Sequence, residues 1–352
     1  MELDNNTETT PPRPRRLVRP LTNIAVLLIT TLTVIAIGEA LFRYRFDSGG
    51  YHPPEAVLQI QKHLVTHPDY GFAWRPNVDE SAQIIFNVAD VEFLPLSTDA
   101  QGFINHPKAT TNRNIDILGL GDSFVEHAAH TWFKLAKDRD LNYYSLALHR
   151  TAPPQYAEVF KAHGKTLNPK WIVIGLFEND FVETSDFYQW KATDLDWFEY
   201  HSGIWCGPPV DNSFAGKLRE GAFQGWNAAI KNTRANLRGQ RMSITGPTQD
   251  EIAEVIAALR KIFNDASAIQ AHTLLVLIPS KPTATNAPTK ESKAYDMVVE
   301  ALPENDAIDV LDLRPIFRDH PNPSSLYYEV DGHWNQIGME LAGKMMLNHI
   351  AR

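Results

Sequence analysis

Cysteine is nearly absent from this 352-residue chain: only Cys206 is present. That excludes an internal disulfide framework and any all-cysteine metal site, and no role is assigned to the lone thiol. Basic charge is also in deficit. Against 42 Asp and Glu stand 33 Lys and Arg, a formal net charge of -9, which excludes a general nucleic-acid binder. No motif recurs at a solenoid or propeller period. Long apolar runs are missing except for one, and a mean hydropathy of -0.28 excludes a protein of many membrane spans. What is present is a globular composition, 43% hydrophobic and 10% aromatic, too rich in core-forming residues for a disordered chain. The length suits one large domain or two ordinary ones.

The single apolar run covers residues 20–38, PLTNIAVLLITTLTVIAIG, and carries no charge. At 1.5 Å per residue it makes a helix of roughly 28 Å, about the hydrocarbon thickness of a bilayer. Arg13, Arg15, Arg16 and Arg19 precede it, and only Arg43 and Arg45 follow closely. The positive-inside bias then expects a single-pass protein of a bacterial cytoplasmic membrane, with the N-terminus inside and residues 46–352 outside, in the periplasm. A cleaved signal peptide is the alternative, with Gly38-Glu39-Ala40 as its small-x-small site, although the apolar core exceeds the ~7–15 residues usual there. A buried globular helix is the third reading. The expected organisation is a polar cytoplasmic tail over 1–19, an anchor over 20–42, a small module of short strands and loops over 46–112, and a larger domain over 113–352.

In that larger domain, strands alternate with helices. Apolar runs at 115–120, 142–147, 171–177, 273–278 and 307–313 read as strands, and 124–137, 155–164, 251–271, 290–301 and 335–350 read as helices. This alternation predicts a parallel sheet with helices on both faces. The near-continuous apolar run WIVIGLF fits a strand buried on both sides. Ligands in such sheets bind outside the carboxyl ends of the strands. The loops after the strands are therefore the places to search.

The first of these strands runs into Gly119-Leu120-Gly121-Asp122-Ser123-Phe124. A serine at such a turn presents its hydroxyl at the mouth of the sheet, with its own N–H near a helix N-terminus. The competing reading is a capping box between Ser123 and Glu126. A nucleophilic serine needs a base. Asp331-Gly332-His333-Trp334-Asn335, after the last strand, supplies a histidine with an acid two residues before it. The alternatives there are a surface Asp that caps a helix, or a metal pair. After the third strand, Asn179-Asp180 offers a side-chain amide for an oxyanion, or a plain turn.

Taken together and in order, these blocks resemble the SGNH (GDSL-type) hydrolase family over roughly residues 113–352. The resemblance implies a three-layer α/β/α flavodoxin-like sandwich with a parallel sheet, here preceded by one transmembrane helix. It implies Ser123 as nucleophile, His333 as general base and Asp331 as the acid that orients it. The oxyanion hole would use the Ser123 N–H, the Asn179 amide and, at a position where the family usually has Gly, the Arg150 N–H. Asp122, Asp180 and Trp334 are expected to line the site. Ser145 stands where the family usually has Asn, and Phe177 where it usually has Gly, which puts substrate range in doubt more than chemistry. A short segment, Pro279-Ser280-Lys281-Pro282-Thr283, is similar to one in alginate O-acetyltransferase-like members.

The resemblance therefore implies a membrane-anchored esterase for carboxyl, notably O-acetyl, esters on an envelope or exported carbohydrate, using no metal or organic cofactor. A polysaccharide O-acetyltransferase with the same triad is one alternative, and a silent glycan-binding or assembly protein another. The partners expected are an acylated carbohydrate or other ester and the membrane, with no nucleic acid. His127 and His130 are read as packed or surface histidines rather than site residues. The stretch 182–247 is read as an aromatic-rich insertion. Its Phe187, Tyr188, Trp190, Trp197, Phe198, Tyr200, Trp205 and Trp226 suit either a pocket mouth or an internal core.

Overall fold

The computed structural model describes residues 18–48, 63–84, 94–109, 111, 114–200, 246–285, 290–329 and 332–352. The expected tail before residue 18, most of the 182–247 insertion with Trp205, Cys206 and Trp226, and Asp331 lie outside the described residues. Helix α1 (Val18–Ser48) belongs to one compact unit, and residues 53–211 with 234–352 form another. Within α1, Asn23–Leu41 is long and apolar enough to cross a membrane. Two of its threonines are compatible with hydrocarbon because their hydroxyls donate back to the helix, Thr30 to the Val26 carbonyl and Thr33 to that of Ile29, both at 2.8 Å.

The second unit begins with two antiparallel pairs. β1 (Leu64–His67) pairs with β2 (Gly71–Trp74), and β3 (Asp79–Ile84) with β4 (Leu94–Ser97). The chain then alternates: β5 (Ile117–Leu120), α2 (Ser123–Lys137), β6 (Tyr143–Ser145), α3 (Pro153–Val159), β7 (Trp171–Leu176) and α4 (Asp180–Lys191). After the undescribed stretch come α5 (Gln249–Ala268), β8 (His272–Leu277), α6 (Lys290–Glu300), β9 (Ile308–Asp312), α7 (Leu313–Arg318) and α8 (Gln336–Ile350).

Strands β5 to β9 form one sheet in the order β6-β5-β7-β8-β9, parallel throughout. Numbered within the sheet, this is the flavodoxin-like order 2-1-3-4-5, so the expected sandwich is the observed one. The period of two along each strand divides the core. Leu118, Leu120, Ile172, Ile174, Leu275 and Leu277 face α3, α4, α5 and α6, while Ile117, Val173, Leu274 and Val276 face α2, α7 and α8. Both faces are buried, which is why these strands show no polar alternation.

The β1–β2 hairpin packs on the first of these faces, with Phe72 and Trp74 buried in the same cluster. Asn105 pins the connecting segment to the sheet edge: its side-chain amide donates to the Ser145 carbonyl (2.9 Å) and its Oδ1 accepts from the Ser145 N–H (2.8 Å). An amide that mimics a strand in this way satisfies an otherwise open edge. The order reverses between β5, whose helix α2 lies on one face, and its neighbours β6 and β7, whose helices lie on the other. The crevice this leaves above the carboxyl ends of β5, β6 and β7 is where the site forms.

Candidate active site

The turn from β5 into α2 is shaped by close approach. A Cβ on Gly121 would collide with Val125 in the first turn of α2, so only glycine lets the strand pass into the helix here. The helix is capped by Asp122, whose Oδ1 accepts from the Phe124 N–H at 3.0 Å. This corrects the capping-box reading of Ser123. Ser123 is the first residue of the helix, and the partner it needed is engaged elsewhere: Glu126 accepts from Trp74 Nε1 at 2.8 Å and lies 3.1 Å from His149 Nδ1. With the cap supplied by its neighbour, the Ser123 hydroxyl is left for other work. Burial pushes the Asp122 carboxyl up to about 6, against the opposing pull of its bond to the Phe124 N–H and of His333.

The hydroxyl is met by His333. Ser123 Oγ lies 2.8 Å from His333 Nε2, across 210 residues of sequence. The loop that carries the histidine is stiffened by main-chain bonds, from the Tyr328 N–H to the His333 carbonyl (2.9 Å) and from the Asn335 N–H to the Leu326 carbonyl (3.0 Å). Asn335 then caps α8 through the N–H groups of Ile337 and Gly338. Phe124 and His127 flank the imidazole, with ring centroids 4.8 and 4.9 Å away. The expectation for the two helical histidines therefore divides. His130 packs against His106, and burial lowers it to about 4, so it is neutral at physiological pH, whereas the buried His127 adjoins His333. Asp331, the expected orienting acid, lies outside the described residues.

Two further loops border the serine. After β6, the Leu148 N–H donates to the Gly121 carbonyl at 3.1 Å, which lays the β6–α3 loop alongside the Ser123 turn. Arg150, two residues on, has φ +53°, the left-handed region that favours glycine. It stands where the resembled family usually has Gly, and it adopts a backbone conformation that glycine takes readily. After β7, Phe177 packs on Phe124 with ring centroids 4.3 Å apart, and Asn179 stands at the start of α4.

Asp180 does not face the opening of the site. It is fully buried, accepting from the Phe177 N–H and from the Tyr156 hydroxyl, both at 2.9 Å. Burial and the nearby Asp122 push its carboxyl well above the usual range. Trp334 is likewise corrected from a lining residue to a core residue: it is 1% exposed and packs against Phe124 and Phe317.

Glu183, one turn into α4, was not foreseen. Its Oε2 is buried without a hydrogen-bond partner among the described residues, as is Oδ1 of Asn179. Burial pushes the Glu183 carboxyl up to about 8, with Arg150 and the Asn179 side chain opposing the shift. In sequence it reads as an ordinary polar position of a helix. The signal available was its spacing, four residues after Asn179 and so on the same helical face.

No protein-family model matches the chain, and no curated protein matches its sequence. Solved structures similar to it include a GDSL-like lipase from Bacteroides thetaiotaomicron, at 10% identity over 69% of this chain and 91% of that one, with a TM-score of 0.38. A psychrotrophic esterase, EstA from Pseudoalteromonas sp., is similar at 14% identity over 68% and 97% of the two chains, with a TM-score of 0.38. A lipase/acylhydrolase from Enterococcus faecalis is similar at 12% identity over 67% and 95%, with a TM-score of 0.40.

Proposed function

We propose that the chain is a serine esterase of the SGNH type. The observation that carries this reading is the 2.8 Å contact between Ser123 Oγ and His333 Nε2 at the carboxyl edge of the parallel sheet. A hydroxyl and an imidazole within about 2.6–3.2 Å have the geometry that a nucleophile and its base need for acyl transfer. In the proposed reaction, Ser123 Oγ attacks the carbonyl carbon of the ester while its proton passes to His333 Nε2. Asp331 holds the other ring nitrogen and steadies the imidazolium.

The tetrahedral oxyanion rests on the Ser123 N–H, which as an early helix N–H has no intrahelical acceptor, with the Asn179 amide and the Arg150 N–H beside it. His333 then protonates the departing alcohol, and an acyl-enzyme remains. Water, activated by the same histidine, releases the acid. A sugar hydroxyl in place of water would make the protein a transferase, so the two readings differ only in the acceptor.

The finer proposal is that the ester is an O-acetyl group on an envelope or exported carbohydrate. Helix α1 would anchor the enzyme in the cytoplasmic membrane, with the arginines before it inside and the sandwich outside. Support for this part comes from the 19-residue apolar span and from the uneven arginines of the sequence.

The full-length protein in detergent, assayed on p-nitrophenyl acetate, tests the chemistry. Ser123→Ala and His333→Ala are each expected to lower kcat by at least ~10³-fold, since the members of such a unit fail together. Parent-level activity in both variants would end the proposal. Release of acetate from an acetylated glycan, with and without an acceptor sugar, separates hydrolysis from transfer.

A further inference from the structure

β8 lies between β7, whose loop carries Asn179, and β9, after which the chain leads to His333. The segment after β8 is thus placed to touch both, and residues 279–283 do so through side chains. Toward the first loop, Ser280 Oγ donates to Glu178 Oε1 at 3.0 Å, and Thr283 Oγ1 donates to the same oxygen. Glu178 immediately precedes Asn179. The Thr283 N–H closes the turn on Ser280 Oγ, and Thr283 is fully buried. Toward the second loop, Lys281 Nζ donates to the carbonyls of Tyr328 (2.8 Å) and Glu329 (2.7 Å), and the Tyr327 hydroxyl donates to the Pro279 carbonyl (2.8 Å). Tyr328 is itself bonded through its N–H to the His333 carbonyl. An ammonium shared between two carbonyls is a charge-assisted contact, about twice as strong as a neutral one.

We propose that residues 279–283 form a clamp that sets the Asn179 amide and the His333 imidazole at their working positions about Ser123. Lys281 is the positioning residue for the base, and Ser280 with Thr283 positions the oxyanion donor. The inference rests on the esterase reading. A segment that served stability alone would hold either loop without regard to the other. This one bonds both, each within one to six residues of a reacting group, where a displacement of about 1 Å costs on the order of 10²-fold in rate.

The test uses the full-length protein in detergent. Lys281→Met, Lys281→Arg and Thr283→Val are made alone, and Lys281→Met and Thr283→Val also with Asn179→Ala. kcat and KM are measured on p-nitrophenyl acetate, with backbone hydrogen exchange over residues 326–338. Lys281→Met is expected to lower kcat by ~10–100-fold with KM within about threefold, and to speed exchange at the Tyr328 and Asn335 amides. Lys281→Arg, which keeps the charge and the donors, restores most of the rate and guards against a Met variant that fails to fold. Thr283→Val is expected to lower kcat by ~10-fold alone and to add nothing once Asn179 is Ala, whereas Lys281→Met still lowers it there.

A kcat within twofold of the parent in Lys281→Met, or independent multiplication of Thr283→Val and Asn179→Ala, overturns the clamp. If hydrolysis survives Ser123→Ala, the esterase reading has failed and takes the clamp with it; if hydrolysis depends on Ser123 but Lys281→Met leaves both kcat and exchange protection unchanged, the clamp alone is overturned.

Discussion

The pairing of Ser123 with His333 was legible at the level of single residues because each sits in a short motif before a helix, Ser123 at the end of β5 and His333 just ahead of α8. The cap was misread by one residue. A serine three residues before a glutamate reads as a capping box, yet Asp122 takes the cap and Glu126 bonds Trp74 and His149, which are distant in sequence. Spacing from Asn179 places Glu183 on the same helical face, but its burial was illegible for the same reason: its neighbours Arg150 and Asp122 come from other loops. The stability that follows from its burial can be signed. Its carboxyl is held up to about 8 in the folded state against 4.5 when exposed, so between those values the folded state keeps a proton that the unfolded chain has lost. Folding is therefore progressively opposed as pH rises from 4.5 to 8. Glu183→Gln, which has no charge to bury, is expected to gain stability over the parent at pH 8 and little at pH 4.5, read by chemical denaturation. An equal difference at both pH values would show that the carboxyl is not held in its neutral form.

The apolar runs of the sequence marked β7, β8, α5 and α8 to within three residues at either end, because each is a sustained periodic segment with the core on a defined face. Edges were less legible. The apolar run at 115–120 suggested a strand from its first residue, but ladder pairing to β7 begins at Ile117, and Asp116 instead accepts from the Asn142 N–H (2.8 Å) and pairs with Lys170. The helix expected over 155–164 is α3 followed by a π turn, Phe160–Gly164, whose last residue is a glycine against the Phe160 ring, where a Cβ would collide. Helix α1 also carries a prediction at this scale. An arginine at the centre of a membrane span costs about 2.5–3.5 kcal/mol. Ile29→Arg is expected to shift a clear fraction of the full-length protein from carbonate-washed membranes to the supernatant. Retention equal to the parent would argue against Asn23–Leu41 as the anchor.

Across the whole molecule, the net charge of -9 divides unevenly. Residues 1–45 hold six arginines and four acidic residues, a net +2, so the remainder carries -11. A basic N-terminal segment precedes an acidic remainder, which disfavours a polyanionic substrate for the proposed esterase unless Arg150 supplies a local exception. The alternation of strands and helices was legible in the sequence; the 2-1-3-4-5 order followed from the resemblance, since local patterns do not specify which strands pair. That order leaves the loops after β5, β6 and β7 at one crevice and brings His333 back to it from the far end of the chain.

The proposed chemistry stands or falls with Ser123 as a nucleophile activated by His333. A fluorophosphonate reagent, added to the full-length protein and followed by peptide mass spectrometry, tests it most directly. One covalent phosphonyl adduct is expected, on Ser123, formed far more slowly in His333→Ala. An unlabelled Ser123, or labelling whose rate does not depend on His333, would contradict it.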